Sequence, residues 1–294
     1  MNVLITGVTG FVGRNLSNYL TSYNYTIQDF NKETLSTYDN EIVIHLAGKA
    51  HDTKNSTLQE EYYLINTELT INVFDNFLKS KSKVFIFLSS VKSIADSSYE
   101  ELNEDFKPNP ITDYGKSKLL AEEYILGQKL PHGKRVYILR PCMIHGPGNK
   151  GNLNLLFKII KKGIPWPLGA FNNYRSFCSI ENLCFVIKEI IDREDFPTGT
   201  YNIADNDPIS TNELIRIIAF SVNKKLLILK IPKFIIVTLS KIGDFFNLSF
   251  NSERLSKLTE NYLVSNKKIL KALKKNLPVS SKEGLIFTIQ SMNH

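Results

Sequence analysis

At 294 residues, with 43% apolar and 22% charged side chains, the chain can bury a sizeable core and is too apolar for a disordered protein. Cys142, Cys178 and Cys184 are odd in number and lack CxxC spacing, which excludes a disulfide framework and argues against a zinc site. The net charge of +7 is modest, and reduced thiols in a cytoplasmic protein fit the cysteine count.

The first half alternates short apolar runs with amphipathic stretches, the pattern of a parallel sheet covered by helices. Val3 to Thr6 reads as a buried strand, and the opening MNVLITG lacks the basic n-region and cleavage site of a leader. Phe11 to Tyr23 is a predicted helix and Thr26 to Phe30 a second strand. Ile42 to Ala47 is a third run, followed after a loop by a helix across Leu64 to Lys79. Val84 to Leu88 (strand), Asp113 to Leu126 (helix) and Val136 to Leu139 (strand) complete this half. About ten residues separate Phe30 from Glu41, at or below the roughly 10–12 of a full crossover. One unit at the sheet edge is therefore expected to be short or missing.

After Pro141 the pattern changes. GPGNKGN reads as a loop, Pro165, Pro167 and Gly169 mark another, and helices are predicted near Glu181 to Ile191, Thr211 to Val222 and Pro232 to Phe246. This half reads as a smaller cap, some of whose segments are free to return to the main sheet. The most apolar stretch, Leu226 to Phe246, is interrupted by Lys230, Pro232, Lys233 and Lys241, so it is no membrane span. A core or interface helix is expected there, with membrane-surface association as the alternative. Lys267, Lys268, Lys271, Lys274 and Lys275 fall at helical spacing and read as a solvated face, not a nucleic-acid site. The positive balance favours an anionic substrate. His45 in a strand, and His51, His132 and His145 in loops, lack metal-ligand spacing and read as structural.

Gly7, Gly10 and Gly13 form GxxGxxG directly after the first strand and at the opening of a helix. One glycine permits the tight turn, one lets backbone approach a pyrophosphate, and one lets helix and strand pack closely. The helix start, with Phe11 and Val12, then offers N–H groups and partial positive charge to phosphates. Leu46 and Ala47, after the third strand, belong to the same cradle. Asp29 near the end of the second strand, and Asn31 two positions on, are candidates for the adenosine ribose. A carboxylate there favours NAD, whereas Arg14 or Lys32 would favour the 2′-phosphate of NADP; both remain open.

Tyr114 and Lys118 lie four apart and share a helix face. A lysine and a cationic nicotinamide beside the phenol are expected to lower its pKa from about 10, so that it exchanges a proton with a substrate hydroxyl or carbonyl. Such a pair also arises by chance as a surface contact. This one is the only YxxxK in the chain, and it follows a strand ending in Ser89-Ser90. Ligands of open parallel sheets bind beyond the carboxyl ends of strands, which puts Ser90 where it can bond the reacting oxygen. Ser89 is the alternative.

TGVTGFVG at the start, HLAG at 45–48, LSSVK at 88–92, YGKSK at 114–118 and RPCMIHGPG at 140–148 occur in this order. With GNKGN, the PLG…NNYRSF segment, the YNIADNDPISTNELI block and the closing VSSKEGL, they resemble the extended short-chain dehydrogenase/reductase family, the nucleotide-sugar epimerase/dehydratase group. Within it, SSVK, GPGNKGN and PLGAFNNYRS look most like bacterial 4-reductases and 4-epimerases of UDP-linked N-acetylhexosamines.

The resemblance implies an α/β fold: a Rossmann-type doubly wound parallel sheet at 1–148, binding NAD or NADP, and a smaller α/β substrate-binding domain mostly within 149–294. It places the dinucleotide loop at Gly7, Gly10 and Gly13, the catalytic Ser, Tyr and Lys at Ser90, Tyr114 and Lys118, of which Tyr114 and Lys118 also contact the cofactor and Ser90 the substrate, and sugar-diphosphate contacts at Asn152 and Arg175. The family's Tyr-Gly after the serine strand is absent, Ser93-Ile94 standing there, and Gly48 replaces a common Ala. Val91-Lys92 stands where dehydratases carry Asp-Glu, which counts against dehydration. The expected activity is reduction of the C4 ketone of a UDP-4-keto-6-deoxy-N-acetylhexosamine for surface polysaccharide. The alternatives are a UDP-hexose or UDP-N-acetylhexosamine 4-epimerase retaining NAD and, remotely, a non-catalytic NAD(P)-binding module. Expected partners are a UDP-sugar and, by analogy with the family, a second copy paired through the Tyr114 helix, with no nucleic acid and no integral membrane segment.

Overall fold

The computed structural model describes residues 1–29, 41–50, 58–98, 100–149, 151–248 and 250–293. The positions of Asn31, Lys32 and His51, and the side chain of Asn152, lie outside this description.

The first half contains β1 (Asn2–Thr6), α1 (Phe11–Ser22), β2 (Thr26–Asp29) and β3 (Ile42–His45), then α2 (Gln59–Tyr63) and α3 (Leu69–Lys79) joined by a π-helical turn (Leu64–Glu68). It continues with β4 (Val84–Leu88), a 3-10 turn (Val91–Ser93), α4 (Asp113–Gly127) and β5 (Arg135–Pro141). The second half holds β6 (Met143–His145), α5 (Asn152–Lys161), β7 (Tyr174–Arg175), β8 (Phe177–Ser179), α6 (Ile180–Asp192), β9 (Gly199–Ile203) and β10 (Ile209–Ser210). It ends with α7 (Thr211–Ser221), α8 (Lys233–Phe245), α9 (Ser252–Thr259), α10 (Lys267–Leu273) and α11 (Ser281–Ser291).

Six strands form one parallel sheet in the order β2-β1-β3-β4-β5-β9. Among the described residues β2 is its edge on the nucleotide side. The inner strands β3, β4 and β5 are buried on both faces, so their sequences are nearly continuous apolar runs. Alternate side chains divide between two cores. Val3, Ile5, Ile42, Ile44 and Ile86 pack with Leu16 and Leu20 of α1 and Val186, Ile187 and Ile190 of α6. Leu4, Val43, Phe85 and Phe87 face Val73, Phe74 and Phe77 of α3 and Ala121 and Ile125 of α4. Helices on both faces of a parallel sheet make this a doubly wound α/β fold.

β9 lies beyond residue 148 yet pairs with β5 from Tyr137↔Gly199 to Pro141↔Ile203. The rest of the second half has its own core, in which Leu153, Leu156, Trp166, Phe177, Ile215 and Ile289 pack together. Two small sheets, β6 with β8 and β7 with β10, stand at its boundary.

Some elements depart from expectation. The helix expected from Leu64 begins at Gln59, and α5 occupies a stretch where no helix is predicted. His145, expected in a loop, closes β6, where Nδ1 bonds the Thr288 hydroxyl at 2.8 Å and Nε2 stands 3.5 Å from Asp205. His45 is fully buried in β3 between the hydroxyls of Thr6 (2.7 Å) and Thr70 (2.9 Å). Burial, reinforced by the nearby Lys118 charge, lowers its pKa to about 3. No helix among the described residues is long and apolar enough to cross a membrane.

Candidate active site

The carboxyl ends of β1, β3 and β4 open onto one crevice. After β1 the chain turns at Gly7 with φ +75°, which glycine adopts freely and L residues rarely do. A Cβ on Gly7 would lie 2.9 Å from the Ala47 backbone, and one on Gly13 would lie 2.2 Å from the Gly7 carbonyl. The bare backbone of this turn therefore presses against the Leu46–Ala47 strand end and the first turn of α1. Leu46 N–H donates to Thr6 O at 3.2 Å and Ala47 N–H to Thr6 Oγ1 at 3.1 Å, fixing that strand end. Gly10 caps α1 with no side-chain hydrogen bond, which leaves the helix start, with Phe11 and Val12, to backbone N–H groups. Asp29 ends β2 in register with Ile5, exposed at the same edge. A cradle this bare at a helix N-terminus fits a dinucleotide pyrophosphate.

Beyond β4 the two serines part. Ser89 Oγ turns inward to Glu122, which also accepts from Ser93 Oγ (2.8 Å) and from Arg140 Nε (3.0 and 3.1 Å) in a buried ion pair. Ser90 Oγ instead faces the Tyr114 hydroxyl within hydrogen-bond reach, while accepting from Lys92 N–H at 3.2 Å. Gly115 makes the approach possible. A Cβ there would lie 2.5 Å from the Lys92 carbonyl and 2.8 Å from Pro110, so α4 can press its first turn onto the Ser90 segment. Thr112 caps that turn, and Asp96 binds Thr112 N–H (2.9 Å), its hydroxyl (2.7 Å) and Ile111 N–H (2.6 Å).

Lys118, one turn further along α4, is 4% exposed and donates to the Leu88 carbonyl at 2.9 Å. Ser90, Tyr114 and Lys118 thus meet at the end of β4. Burial pulls the Lys118 ammonium down to about 8, against the opposing pull of Glu122. Tyr114 is set by the protein alone here, without the cationic nicotinamide on which the expected lowering also rests. Burial raises its phenol above the usual value, the Ser90 bond only partly offsets this, and the nearby Tyr62 phenol adds to the rise.

The second half closes the other side of the crevice. Arg175 is held by β7, which pairs with β10 at Ile209 and bridges to Tyr262; its guanidinium donates to the Lys257 carbonyl at 2.5 Å. The Arg175 and Lys257 charges reach Lys92, whose own pKa is lowered chiefly by burial. Lys92 stands 4.8 Å over the Tyr262 ring, and Tyr262 is within electrostatic reach of both Tyr114 and Arg175. Arg175 and Lys257 also edge a small cavity, about 30 Å³, that includes Leu153, Phe177, Thr211 and Leu214. Asn152 begins α5 beside this cavity's Leu153.

Sequence reasoning passed over four residues here. Lys92 was noted only as the replacement of an acid, and Lys257 and Tyr262 come from segments without a motif. Asn66 is fully buried in the π-helical turn, where Oδ1 accepts from Lys49 N–H (2.8 Å) and Nδ2 donates to Ser117 Oγ (3.0 Å). A Cβ on Gly48 would lie 3.0 Å from Lys118 Nζ and 3.1 Å from Asn66 Oδ1, so the glycine there gives both room. An asparagine inside an apolar helical pattern was the available signal, since π-turns recur at functional sites.

The doubly wound sheet, with a glycine turn and a Tyr-Lys pair at its carboxyl edge, defines a Rossmann-type, dinucleotide-dependent class. Residues 24–204 match the NAD dependent epimerase/dehydratase family, and the chain belongs to it. A UDP-glucose 4-epimerase of Vibrio cholerae is 31% identical, over 79% of this chain and 79% of that protein. The N-acetyl-alpha-D-glucosaminyl-diphospho-ditrans,octacis-undecaprenol 4-epimerase of Escherichia coli O157:H7 is 29% identical, over 92% of this chain and 85% of that one. Among solved structures, RMD from Pseudomonas aeruginosa complexed with NADPH superposes with TM-score 0.77 at 19% identity, covering the whole of both chains.

Proposed function

We propose that the chain is a 4-epimerase acting on a hexose carried on a diphosphate, with NAD held at the Gly7–Gly13 turn. The observation that carries the reading is the convergence of Ser90, Tyr114 and Lys118 beside that turn, facing the cationic mouth at Arg175. Two relatives of broad coverage, at 31% and 29% identity, support epimerisation, whereas a GDP-6-deoxy-D-mannose reductase of Pseudomonas aeruginosa stands at 24%.

Gly7, Gly10, Phe11, Val12 and Gly13 would hold the pyrophosphate, Leu46 and Ala47 its floor, and Asp29 the adenosine ribose, whose free hydroxyls a carboxylate prefers. When bound, NAD supplies hydride acceptance and return at C4. The chain's part is proton management. Tyr114 Oη, as phenolate, takes the C4 hydroxyl proton as the ketone forms and gives it back to that oxygen when hydride returns to the other face of C4, with Ser90 Oγ bonding the same sugar oxygen. Lys118, within the same helix turn and paired with the strand end, keeps positive charge near the phenol. Arg175, with Lys92, Lys257 and the start of α5 at Asn152, grips the diphosphate, a guanidinium fork suiting its oxygens. The C4 ring must turn over while that grip holds.

The second reading is the 4-ketoreductase expected from the sequence, favoured by the raised Tyr114 pKa, which keeps the group a phenol and hence a proton donor. The deciding experiment is to release and identify nucleotide from the purified protein, then to assay UDP-N-acetylglucosamine and UDP-glucose by NMR. Bound NAD and a C4-inverted product without net change in NADH absorbance support the epimerase. Stoichiometric NAD(P)H consumption with UDP-4-keto-6-deoxy-N-acetylglucosamine and no inversion overturns it.

A further inference from the structure

Helix α8 shows the solvent what a core helix would bury. Of its side chains only Ile236, Ser240 and Gly243 are buried against the second-half core. Phe234 is 72% exposed and Phe245 81%, and Phe246 just after the helix is 65% exposed. Ile235, Leu239 and Ile242 are exposed with them, and at 3.6 residues per turn the six fall within an arc of about 140°. The outward face is thus the more apolar of the two, a pattern that burial in this chain alone does not explain.

The surroundings are cationic. Between residues 224 and 248 the chain carries Lys224, Lys225, Lys230, Lys233 and Lys241, all exposed, against one acid, Asp244. That carboxylate is engaged by Ser252, from its N–H at 2.9 Å and its hydroxyl at 2.5 Å. A second copy docked here through a two-fold axis would bring lysine rim against lysine rim. An anionic surface with an apolar interior meets both features at once: aromatic and aliphatic side chains enter the acyl boundary while lysines contact phosphates. The helix runs only thirteen residues, about 20 Å, so it can lie in a bilayer surface but not cross one.

We propose that α8 is a docking surface for an anionic lipid bilayer. This goes beyond the redox reading and stands without it. Docking also has a direction: α9 packs against α8 and carries Lys257 and Leu258 of the Arg175 cavity, so the anion-gripping side of the crevice sits one helix from the lipid.

The test is co-sedimentation of the full chain with vesicles of phosphatidylcholine alone or with phosphatidylglycerol, at low and high salt, alongside its mass in solution. Binding to the phosphatidylglycerol vesicles, reduced by salt, is expected. The triple variant Phe234→Ser, Phe245→Ser, Phe246→Ser should lose it, its melting temperature reporting that the fold is kept. A second variant, Lys230→Glu, Lys233→Glu, Lys241→Glu, leaves the apolar face intact and should weaken binding by tenfold or more, each lysine near such a surface mattering by roughly a factor of five. Wild-type protein that stays in the supernatant at low salt overturns the proposal. So does a wild-type dimer that the phenylalanine variant converts to monomer, which would make the face an interface between copies.

Discussion

Between β1 and α1 the surface proposed to hold the cofactor is main chain: a left-handed turn at Gly7, a Cβ-free contact at Gly13 and an uncapped helix start. Around Arg175 the proposed diphosphate grip is side chains, delivered by a two-residue strand, a helix and an isolated bridge that meet only in the folded molecule. The backbone cradle takes a ligand part common to many enzymes and leaves little freedom to vary. The side-chain mouth can change its partner by exchanging a few residues while the sheet beneath stays as it is. Ser90, Tyr114 and Lys118 lie where the two surfaces face each other.

Substitutions sharpen this contrast. The largest effect is expected at the junction, where Tyr114→Phe should lower kcat by about 10³-fold with NAD still bound, measured by turnover and by nucleotide released on denaturation. Loss of NAD together with activity would assign Tyr114 to the cradle instead. Beneath the junction, Glu122→Ala leaves the Arg140 guanidinium buried and unpaired, with Ser89 and Ser93 losing their acceptor. It should cost about 3–5 kcal/mol in denaturant unfolding, and a variant as stable as wild type would show that the pair is dispensable.

The cradle side should also respond to acid. The native His45 stays neutral down to about pH 3, whereas in the unfolded chain it takes a proton near 6.5. The unfolded state then binds more protons, so the His45 contribution is full above about pH 6.5 and is lost as pH falls toward 3. Between pH 7 and 5 wild type should lose about 2 kcal/mol relative to a folded His45→Gln variant, read by urea midpoints. The smallest effect is expected at the mouth. Arg175→Lys keeps charge but loses the fork and should raise KM about tenfold with kcat little changed.

The same contrast explains what the sequence disclosed. A backbone cradle is local, so three glycines after an apolar run were enough to place it, and Tyr114 with Lys118 needed only one helix. Choosing between Ser90 and Ser89 was a matter of pleat direction, and in the fold Glu122 draws Ser89 inward while Ser90 faces Tyr114. The mouth was legible only at Arg175. Lys92, Lys257 and Tyr262 lie far apart in the chain and converge through packing that no spacing announces. The direction of the Tyr114 pKa in the protein alone also depended on tertiary contact, since it is burial in the finished fold that raises it. Leu226 to Phe246 was readable as apolar and helical. Which side of it would be covered was a property of the finished surface.

The return of β9 to the main sheet bears on how the molecule is made. The chain leaves β5 at Pro141 and must be extended through β6, α5, β8 and α6 before Gly199 arrives to complete the sheet. During synthesis β5 therefore waits as an unprotected edge, open to pairing with a foreign strand. A fragment ending at 148 would carry that vulnerability permanently, and a nascent chain would carry it for the time taken to add some sixty residues, a few seconds at about 5–20 residues per second.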